Sequence, residues 1–242
     1  ILQQFETSKQ FWTYLKQQNL ITNPEDFIHK VPHHTWVSGK DDVDFLKKRH
    51  KALSEHFAFA EMEYTEETSV LNKWFPLIMK DRKPDEAIAG TRMETGTEVN
   101  FGILTQLYFK ILREYFDTKV HLNHTVLDID PDKKKGWLVE VKNNITNKKL
   151  YLDASHVFIG AGGGALNLLQ KVELREQKDF GGFPVSGQWL FCKNPETIRQ
   201  HHAKVYSKAG PDAPPMSTPH LDTRYIDGKQ QLIFGPFAGF NT

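Results

Sequence analysis

The stretch His156-Val157-Phe158-Ile159-Gly160-Ala161-Gly162-Gly163-Gly164-Ala165-Leu166-Asn167-Leu168-Leu169 joins a short apolar run to a helical apolar pattern through a run of glycines. Glycine tolerates positive φ and lets the backbone come close to a ligand. A helix that begins after such a turn offers unpaired N–H groups and the positive end of its dipole to a phosphate. Gly160, Gly162 and Ala165 match the G-x-G-x-x-G/A pattern of dinucleotide-binding turns. The stretch predicts a strand, a nucleotide-binding turn and a helix; a tight packing turn is the alternative.

The residues around this turn do not fit the opening of a Rossmann unit. Such a unit needs a second strand within ~30 residues and an acidic residue about 20 positions further on. A charged connector over residues 171–179 and a Gly-Gly-Phe-Pro sequence over 181–184 follow instead, and several short strands precede the turn. We therefore interpret the glycines as the last phosphate-side turn of a nucleotide domain whose opening strand lies elsewhere.

Composition narrows the class of protein. The 242 residues are 39% apolar and 25% charged, as in ordinary globular proteins, and the net charge of +1 gives no electrostatic reason to expect nucleic acid as a partner. The single cysteine, Cys192, excludes an internal disulfide and a thiolate zinc site, and it favours the reducing cytosol. No apolar run approaches the ~20 residues of a membrane span, although binding to a membrane surface stays possible. The chain lacks an initiator Met and stops just after a strand pattern, so we expect it to be an interior piece of a longer protein.

Periodicity predicts a mixed chain of helices and strands. The predicted helices cover about 1–20, 41–57, 65–74 and 100–116. The predicted strands cover 27–37, with Pro32 favouring a sheet edge, 57–64, a meander over 120–130, 137–142 and 149–153, and then 183–192, 202–207, 218–226 and 231–236.

Several strings resemble the malate:quinone oxidoreductase family, within the D-amino-acid-oxidase-like superfamily of flavoproteins. They are Phe5-Glu6-Thr7-Ser8-Lys9-Gln10-Phe11-Trp12, Val31-Pro32-His33, Gly96-Thr97-Glu98-Val99-Asn100-Phe101-Gly102, Phe158-Ile159-Gly160-Ala161-Gly162-Gly163-Gly164-Ala165-Leu166, Gly182-Phe183-Pro184-Val185-Ser186-Gly187-Gln188, Pro214-Pro215-Met216-Ser217, Pro219-His220-Leu221-Asp222-Thr223-Arg224 and Phe234-Gly235-Pro236-Phe237. The family's N-terminal FAD fingerprint and its C-terminal segment are missing from this sequence. The resemblance covers the whole chain and identifies it as the middle of such an enzyme, and a piece without those two segments is expected to be inactive alone.

The resemblance implies an α+β or α/β fold, in which part of an FAD-binding Rossmann-like domain is interleaved with a mixed-sheet substrate domain. We expect residues 1–95 and 181–242 to belong to the substrate domain and residues 96–180 to the FAD domain. The implied activity is oxidation of (S)-malate to oxaloacetate in the tricarboxylic acid cycle, with electrons passing through FAD to a membrane quinone. The implied location is cytoplasmic, peripheral on the inner face of the cell membrane. The alternatives are another FAD-dependent 2-hydroxy-acid or amine oxidoreductase, and a non-catalytic, sheet-rich scaffold.

The chemistry implied by the resemblance needs a base and cations that hold two carboxylates. His220 and Arg224 are four residues apart in a strand-like segment, so both face one side together with Asp222, which can orient either. A surface ion pair on a sheet edge is the alternative for this group. Arg92 is the second candidate for binding a carboxylate, with an exposed loop arginine as its alternative. His33 and His34 alternate faces, so at most one points inward, and a structural role accounts for each.

The implied cofactor-binding residues follow from the glycine turn. Gly160, Ala161, Gly162 and Gly163 would let the backbone approach the FAD phosphates or ribityl chain closely. Gln188 would lie near the flavin, because its strand follows the turn.

Overall fold

The computed structural model describes residues 2–132, 136–172, 174, 179–182, 185–210, 213 and 218–239. The chain divides into two compact units, residues 1–111 with 185–242, and residues 112–184. Both contain sheets, which confirms the predicted mixed fold class. The assignment of substrate and FAD domains with limits at 95/96 and 180/181 stays a prediction.

The helices are α1 (Leu2–Gln17), α2 (Lys40–Ser54), α3 (Thr68–Trp74), α4 (Pro76–Met79), α5 (Phe101–Tyr115), α6 (Ala165–Leu169) and α7 (Pro195–Arg199). The strands are β1 (Ile28–Lys30), β2 (His33–Ser38), β3 (Glu63–Thr65), β4 (Ile88–Met93), β5 (Thr97–Val99), β6 (His124–Asp132), β7 (Gly136–Asn143), β8 (Lys149–Ala154), β9 (Ser186–Cys192), β10 (Lys204–Ser207), β11 (His220–Ile226) and β12 (Lys229–Gly239). Among the described residues, no helix has the length and apolar character needed to cross a membrane.

The first unit is built on a seven-stranded sheet with the order β3-β4-β2-β10-β11-β12-β9. All neighbours in this sheet are antiparallel except β2 and β10, which are parallel. Side chains alternate between the two faces of each strand, so the register fixes which residues share a face. The strand β2, which we expected near an edge because of Pro32, lies inside the sheet, and the proline falls in the break between β1 and β2.

Helices cover both faces of this sheet. On one face α3 and α4 contribute Leu71, Phe75 and Met79 to a core that also contains Val205. On the other face α2 contributes Val43 and Leu46, which cluster with Val37 and Ala89 of the sheet. We call these the α3 face and the α2 face.

A second core of the same unit joins α1 to α5. Its buried members are Leu15, Ile21, Phe27, Leu104 and Ile111. The indole N–H of Trp12 donates to the Tyr108 hydroxyl at 2.7 Å across this contact. Leu15 of α1 and Leu104 and Ile111 of α5 therefore lie on the apolar faces that pack together.

The second unit contains an antiparallel meander, β6-β7-β8, in the order that the sequence predicts. The apolar run before the glycines was expected to be a strand, and this was wrong: residues 156–160 have no regular structure. A 3-10 turn over Gly162–Gly164 leads directly into α6. The strand predicted for 57–64 was also wrong in part, because Phe57–Phe59 form a 3-10 turn and only Glu63–Thr65 are extended.

Candidate active site

Three candidate residues lie together on one strand. His220, Asp222 and Arg224 are alternate residues of β11, and they project from the α2 face of the sheet. The side chain of Asp222 is 2% exposed, whereas those of His220 and Arg224 are 15% and 33% exposed. The sequence therefore predicted correctly that these residues share one side, and burial of Asp222 disfavours the alternative of a surface ion pair.

One carboxylate oxygen of Asp222 is the centre of this group. Its Oδ2 atom lies 3.0 Å from Nδ1 of His220, 3.4 Å from Nζ of Lys204 and 3.4 Å from the hydroxyl of Tyr206. The other oxygen, Oδ1, is buried and accepts no hydrogen bond from the described residues. Asp222 is thus a buried anion whose neighbours all present a donor or a cation to one oxygen.

Glu98 forms the second buried anion. Nη1 of Arg224 donates to its Oε2 atom at 3.1 Å, and Nε of the same guanidinium lies 3.0 Å from its Oε1 atom, so the two groups form a close ion pair. Lys204 Nζ lies 2.5 Å from Glu98 Oε2, so this lysine bridges Glu98 and Asp222. Two carboxylates and two permanent cations compensate one another here, which a buried group of charges requires.

Close packing at Gly96 positions Glu98. A Cβ at Gly96 would come within 2.5 Å of the carbonyl oxygen of Val31 and 2.6 Å of the amide nitrogen of His33. Only glycine allows β5 to approach the junction of β1 and β2 this closely. Asn100 then donates from Nδ2 to the carbonyl of Tyr225 at 3.1 Å, which ties the start of α5 to β11.

Aromatic rings extend the group along the α2 face. The ring of Tyr206 stacks on His220 with the ring centroids 4.1 Å apart. The ring of His33 stacks on Tyr206 with the ring centroids 4.9 Å apart. Trp189 meets His220 edge to face at 5.1 Å. These contacts fix the plane of the His220 imidazole.

The surroundings shift two pKa values in opposite directions. Burial opposes ionisation of Asp222, but the nearby imidazole of His220 and the charge of Lys204 outweigh it, and the pKa of Asp222 falls below its usual range. Burial raises the pKa of Tyr206, and the charge of Asp222 adds to the effect. At neutral pH the group therefore holds an ionised Asp222 beside a neutral phenol.

This arrangement suits a base at His220. A carboxylate beside Nδ1 favours the tautomer with the proton on that nitrogen, which leaves the lone pair on Nε2. Among the described residues, none forms a hydrogen bond with Nε2 of His220. The imidazole can therefore accept a proton from a group that approaches on that side.

The structure does not bring Arg92 together with this group. Arg92 pairs in register with His34, and both project from the α3 face, opposite to His220. The Arg92 guanidinium lies 5.8 Å from the ring of Trp74 and forms ion pairs with Glu63 and Glu94. Its proposed role in binding a carboxylate stays a prediction, and the strand register does not favour it.

The glycine turn presents its backbone to open space. Gly160, Ala161, Gly162 and Gly163 are exposed, and a Cβ at Gly162 or Gly163 would meet nothing within 4 Å. Gly162 has φ of +55°, and the N–H groups of Ala161, Gly162 and Gly163 have no backbone partner among the described residues. Residues of the same unit line an apolar hollow beside the turn: Ile159, Ala165, Leu166, Leu169, Phe180, Gly181 and Gly182. The turn therefore offers the free donors and the space that a phosphate or ribityl chain needs.

Gln188 lies on β9, the edge strand of the seven-stranded sheet, opposite Phe237 of β12. Its side chain is exposed. Its placement beside a flavin stays a prediction.

Sequence reasoning missed Glu98, Lys204 and Tyr206 as members of the site. Lys204 and Tyr206 are two residues apart on β10, so their side chains face one side of the sheet. This spacing does not reveal which strand lies beside β10. Glu98 lies two residues after Gly96, in a string that had been noted only for its resemblance. The pairing of β10 with β11 and of β5 with β1 brings these side chains to Asp222 and Arg224.

Solved structures define the class of fold. L-proline dehydrogenase from P. horikoshii matches with a TM-score of 0.65 and 11% identity, over 96% of this chain and 54% of that one. The L-alpha-glycerophosphate oxidase of Mycoplasma pneumoniae, solved with FAD bound, matches with a TM-score of 0.66 and 15% identity, over 88% of this chain and 50% of that one. The chain therefore shares its fold with parts of a dehydrogenase and of an oxidase solved with FAD bound.

Sequence comparison gives the family. The family model for malate:quinone oxidoreductase (Mqo) matches residues 1–242, and the chain belongs to this family. A probable malate:quinone oxidoreductase of Oceanobacillus iheyensis is 53% identical over 242 residues, covering 99% of this chain and 47% of the relative. One from Halalkalibacterium halodurans is 52% identical over 241 residues, covering 100% of this chain and 48% of the relative. The chain thus spans about half the length of the curated relatives it matches.

Proposed function

We propose that the whole protein oxidises (S)-malate to oxaloacetate and transfers the two electrons through FAD to a quinone. The observation that carries this proposal is the family match over all 242 residues. The buried group on β11 supports it, because a histidine beside a carboxylate and a nearby arginine are what the oxidation of a hydroxy acid requires.

His220 takes the proton of the malate hydroxyl at Nε2 in this proposal. Asp222 stabilises the imidazolium that forms, since its Oδ2 atom lies beside Nδ1. Lys204 keeps Asp222 ionised, and the stacked ring of Tyr206 prevents rotation of the imidazole. Loss of the hydroxyl proton makes the hydrogen on the same carbon easier to remove as hydride.

Arg224 binds a carboxylate of malate with the part of its guanidinium that Glu98 leaves free. Nη1 donates to Glu98 and Nε lies 3.0 Å from the same carboxylate, so Nη2 is the group left to donate to a ligand. Glu98 thereby orients the guanidinium.

FAD, when bound, supplies the acceptor for the hydride and passes electrons on to the quinone. Gly160, Ala161, Gly162 and Gly163 would hold its phosphates or ribityl chain through backbone N–H groups, and Gln188 would lie near the flavin ring. We also propose that the whole protein associates with the inner face of the cell membrane, because a quinone acceptor is dissolved in the lipid.

The test is malate oxidation by the intact protein, purified with its flavin. We expect a flavin absorbance spectrum that malate bleaches, and malate-dependent reduction of a quinone analogue without hydrogen peroxide. Peroxide in place of quinone reduction would instead indicate a related oxidase. A protein that contains no flavin and does not use malate would contradict the proposal and support the scaffold alternative.

A further inference from the structure

Five side chains on the α2 face form one continuous row of charged and polar groups. Arg224 pairs with Glu98 at one end, and His220 lies beside Asp222 at the other. Lys204 is the link between the two pairs, with its Nζ atom 2.5 Å from Oε2 of Glu98 and 3.4 Å from Oδ2 of Asp222. The candidate arginine and the candidate base are therefore joined through one ammonium group.

Water is nearly excluded from the centre of this row. The side chains of Glu98 and Asp222 are each 2% exposed, and that of Lys204 is 10% exposed. Charges in such surroundings are screened weakly, so each one acts strongly on its neighbours. The charge of Lys204 is thus felt along the row instead of being dissipated in solvent.

The ammonium of Lys204 and the imidazole of His220 share one carboxylate oxygen. Oδ2 of Asp222 lies 3.0 Å from Nδ1 of His220 and 3.4 Å from Nζ of Lys204. The pKa of Asp222 is lowered in spite of burial, and His220 and Lys204 are both among the causes. Without the charge of Lys204 this carboxylate would compensate the imidazolium more fully, so His220 would keep its proton to higher pH. Without the charge of Glu98 the opposite would hold, because Lys204 would draw on Asp222 alone.

The other titratable groups near His220 keep one charge state around neutral pH. Tyr206 of β10 stacks on His220, and burial raises the pKa of this phenol. His33 of β2 stacks on Tyr206, and desolvation lowers its pKa, to which the charge of Arg49 on α2 contributes. The neighbours on the remaining flanking strands are uncharged: Trp189 of β9 and Gly235 of β12. Lys204 and Glu98 are therefore the charges whose removal tests the row.

We propose that Lys204 is a positioning residue that holds His220 and Arg224 in one charge-compensated row, and that its charge sets the pH above which His220 can accept the malate proton. This inference rests on the proposed function, because it takes His220 as the base. Lys204 acts through Asp222 and Glu98 and need not contact the substrate.

The first experiment measures kcat/KM for malate against pH in the intact, flavin-loaded protein. The acidic limb of this profile reports the proton that must leave the base before the reaction. We expect Lys204→Met to move this limb to higher pH by roughly one unit, and Glu98→Gln to move it to lower pH. The double variant Glu98→Gln/Lys204→Met loses one charge of each sign, so its limb should return towards that of the wild type.

Lys208→Met is the matched control. Lys208 follows β10 and pairs with Asp42 of α2, so the same change removes a cation that lies outside the row. Its limb should coincide with that of the wild type, and Lys204→Arg, which keeps the charge, should stay closer to the wild type than Lys204→Met. No shift in Lys204→Met, or shifts of the same sign in Lys204→Met and Glu98→Gln, would overturn the inference. If Lys204→Met does not fold, the direction of the shift in Glu98→Gln decides alone.

A titration without substrate separates this inference from the proposed function. The intact protein is isotope-labelled at Cε1 of its histidines, and the NMR signal of His220 is identified by its loss in His220→Asn. We expect the midpoint of this signal's titration to be highest in Lys204→Met, intermediate in the wild type and lowest in Glu98→Gln. If the wild type fails to oxidise malate, the proposed function is wrong, and the order of these midpoints still decides on Lys204. Equal midpoints in the three proteins would overturn the role of Lys204.

Discussion

The two faces of the seven-stranded sheet each carry a histidine and an arginine, but in opposite surroundings. On the α2 face His220 and Arg224 contact buried carboxylates that are themselves compensated by Lys204. On the α3 face His34 packs against the rings of Trp74 and Phe75, and no carboxylate contacts it among the described residues. The residue types are the same, so the neighbours that the fold supplies decide which histidine can do proton chemistry.

The pKa of His34 shows the consequence. Burial lowers the pKa of His34 to about 3, and the positive charge of Arg92 adds to the effect. Its Nδ1 atom is buried and has no hydrogen-bond partner among the described residues. His34 is therefore a neutral core residue, consistent with a structural role for this position.

The largest expected effect comes from neutralising the carboxylate beside His220. In Asp222→Asn the imidazolium loses its counterion, so we expect kcat for malate to fall by roughly 10²- to 10⁴-fold while KM changes little. Quinone-analogue reduction by the intact protein measures both constants. Asp227→Asn is the matched control, since Asp227 is exposed in the turn between β11 and β12, and it should behave as the wild type. A wild-type kcat in Asp222→Asn would remove the carboxylate from the mechanism.

An intermediate effect is expected from removing Arg224, and Arg92 on the opposite face is the comparison. Arg224→Ala removes a contact to malate and leaves the buried Glu98 with Lys204 as its one cation among the described residues, so we expect kcat/KM to fall by the equivalent of several kcal/mol. Arg92→Ala removes half-exposed ion pairs on the opposite face, and we expect a change below about fivefold. The comparison of the two faces fails if the two variants lose malate oxidation equally.

The smallest effect is on stability and concerns His34. Its folded pKa lies below the unfolded value of 6.5, so as pH falls from 6.5 towards 3 the unfolded chain binds the proton first and the folded state loses stability. The free energy of unfolding changes through this group by at most ~1.4 kcal/mol per pH unit. In His34→Leu we expect the Tm to fall less between pH 7 and pH 5 than in the wild type, with malate kinetics unchanged at pH 7. Parallel Tm profiles for the two proteins would show that His34 does not titrate as proposed.

Local pattern was enough to predict β10 and β11, which carry most of the site, but not β5, which carries Glu98. The alternation over residues 218–226 placed His220, Asp222 and Arg224 on one side. The predicted strand before the glycines did not form, because a strand needs a neighbour that pairs with its backbone and no described strand pairs with residues 156–160.

Partners that come from distant parts of the chain could not be predicted in this way. Glu98 and Lys204 are 106 positions apart in the printed numbering and meet only because β10 pairs with β11 and β5 contacts the same strand. Arg92 lies on the α3 face because it pairs in register with His34, and this register cannot be read from the sequence.

The sequence by itself determined most of the helices and strands, which residues of β11 share a face, and the resemblance to a malate:quinone oxidoreductase, because these follow from local periodicity and contiguous strings. Only the tertiary structure decided which charges become buried neighbours and which histidine is neutral in a core. The physical reason is that burial and ion pairing depend on strand order and register, which bring together residues that are far apart along the chain.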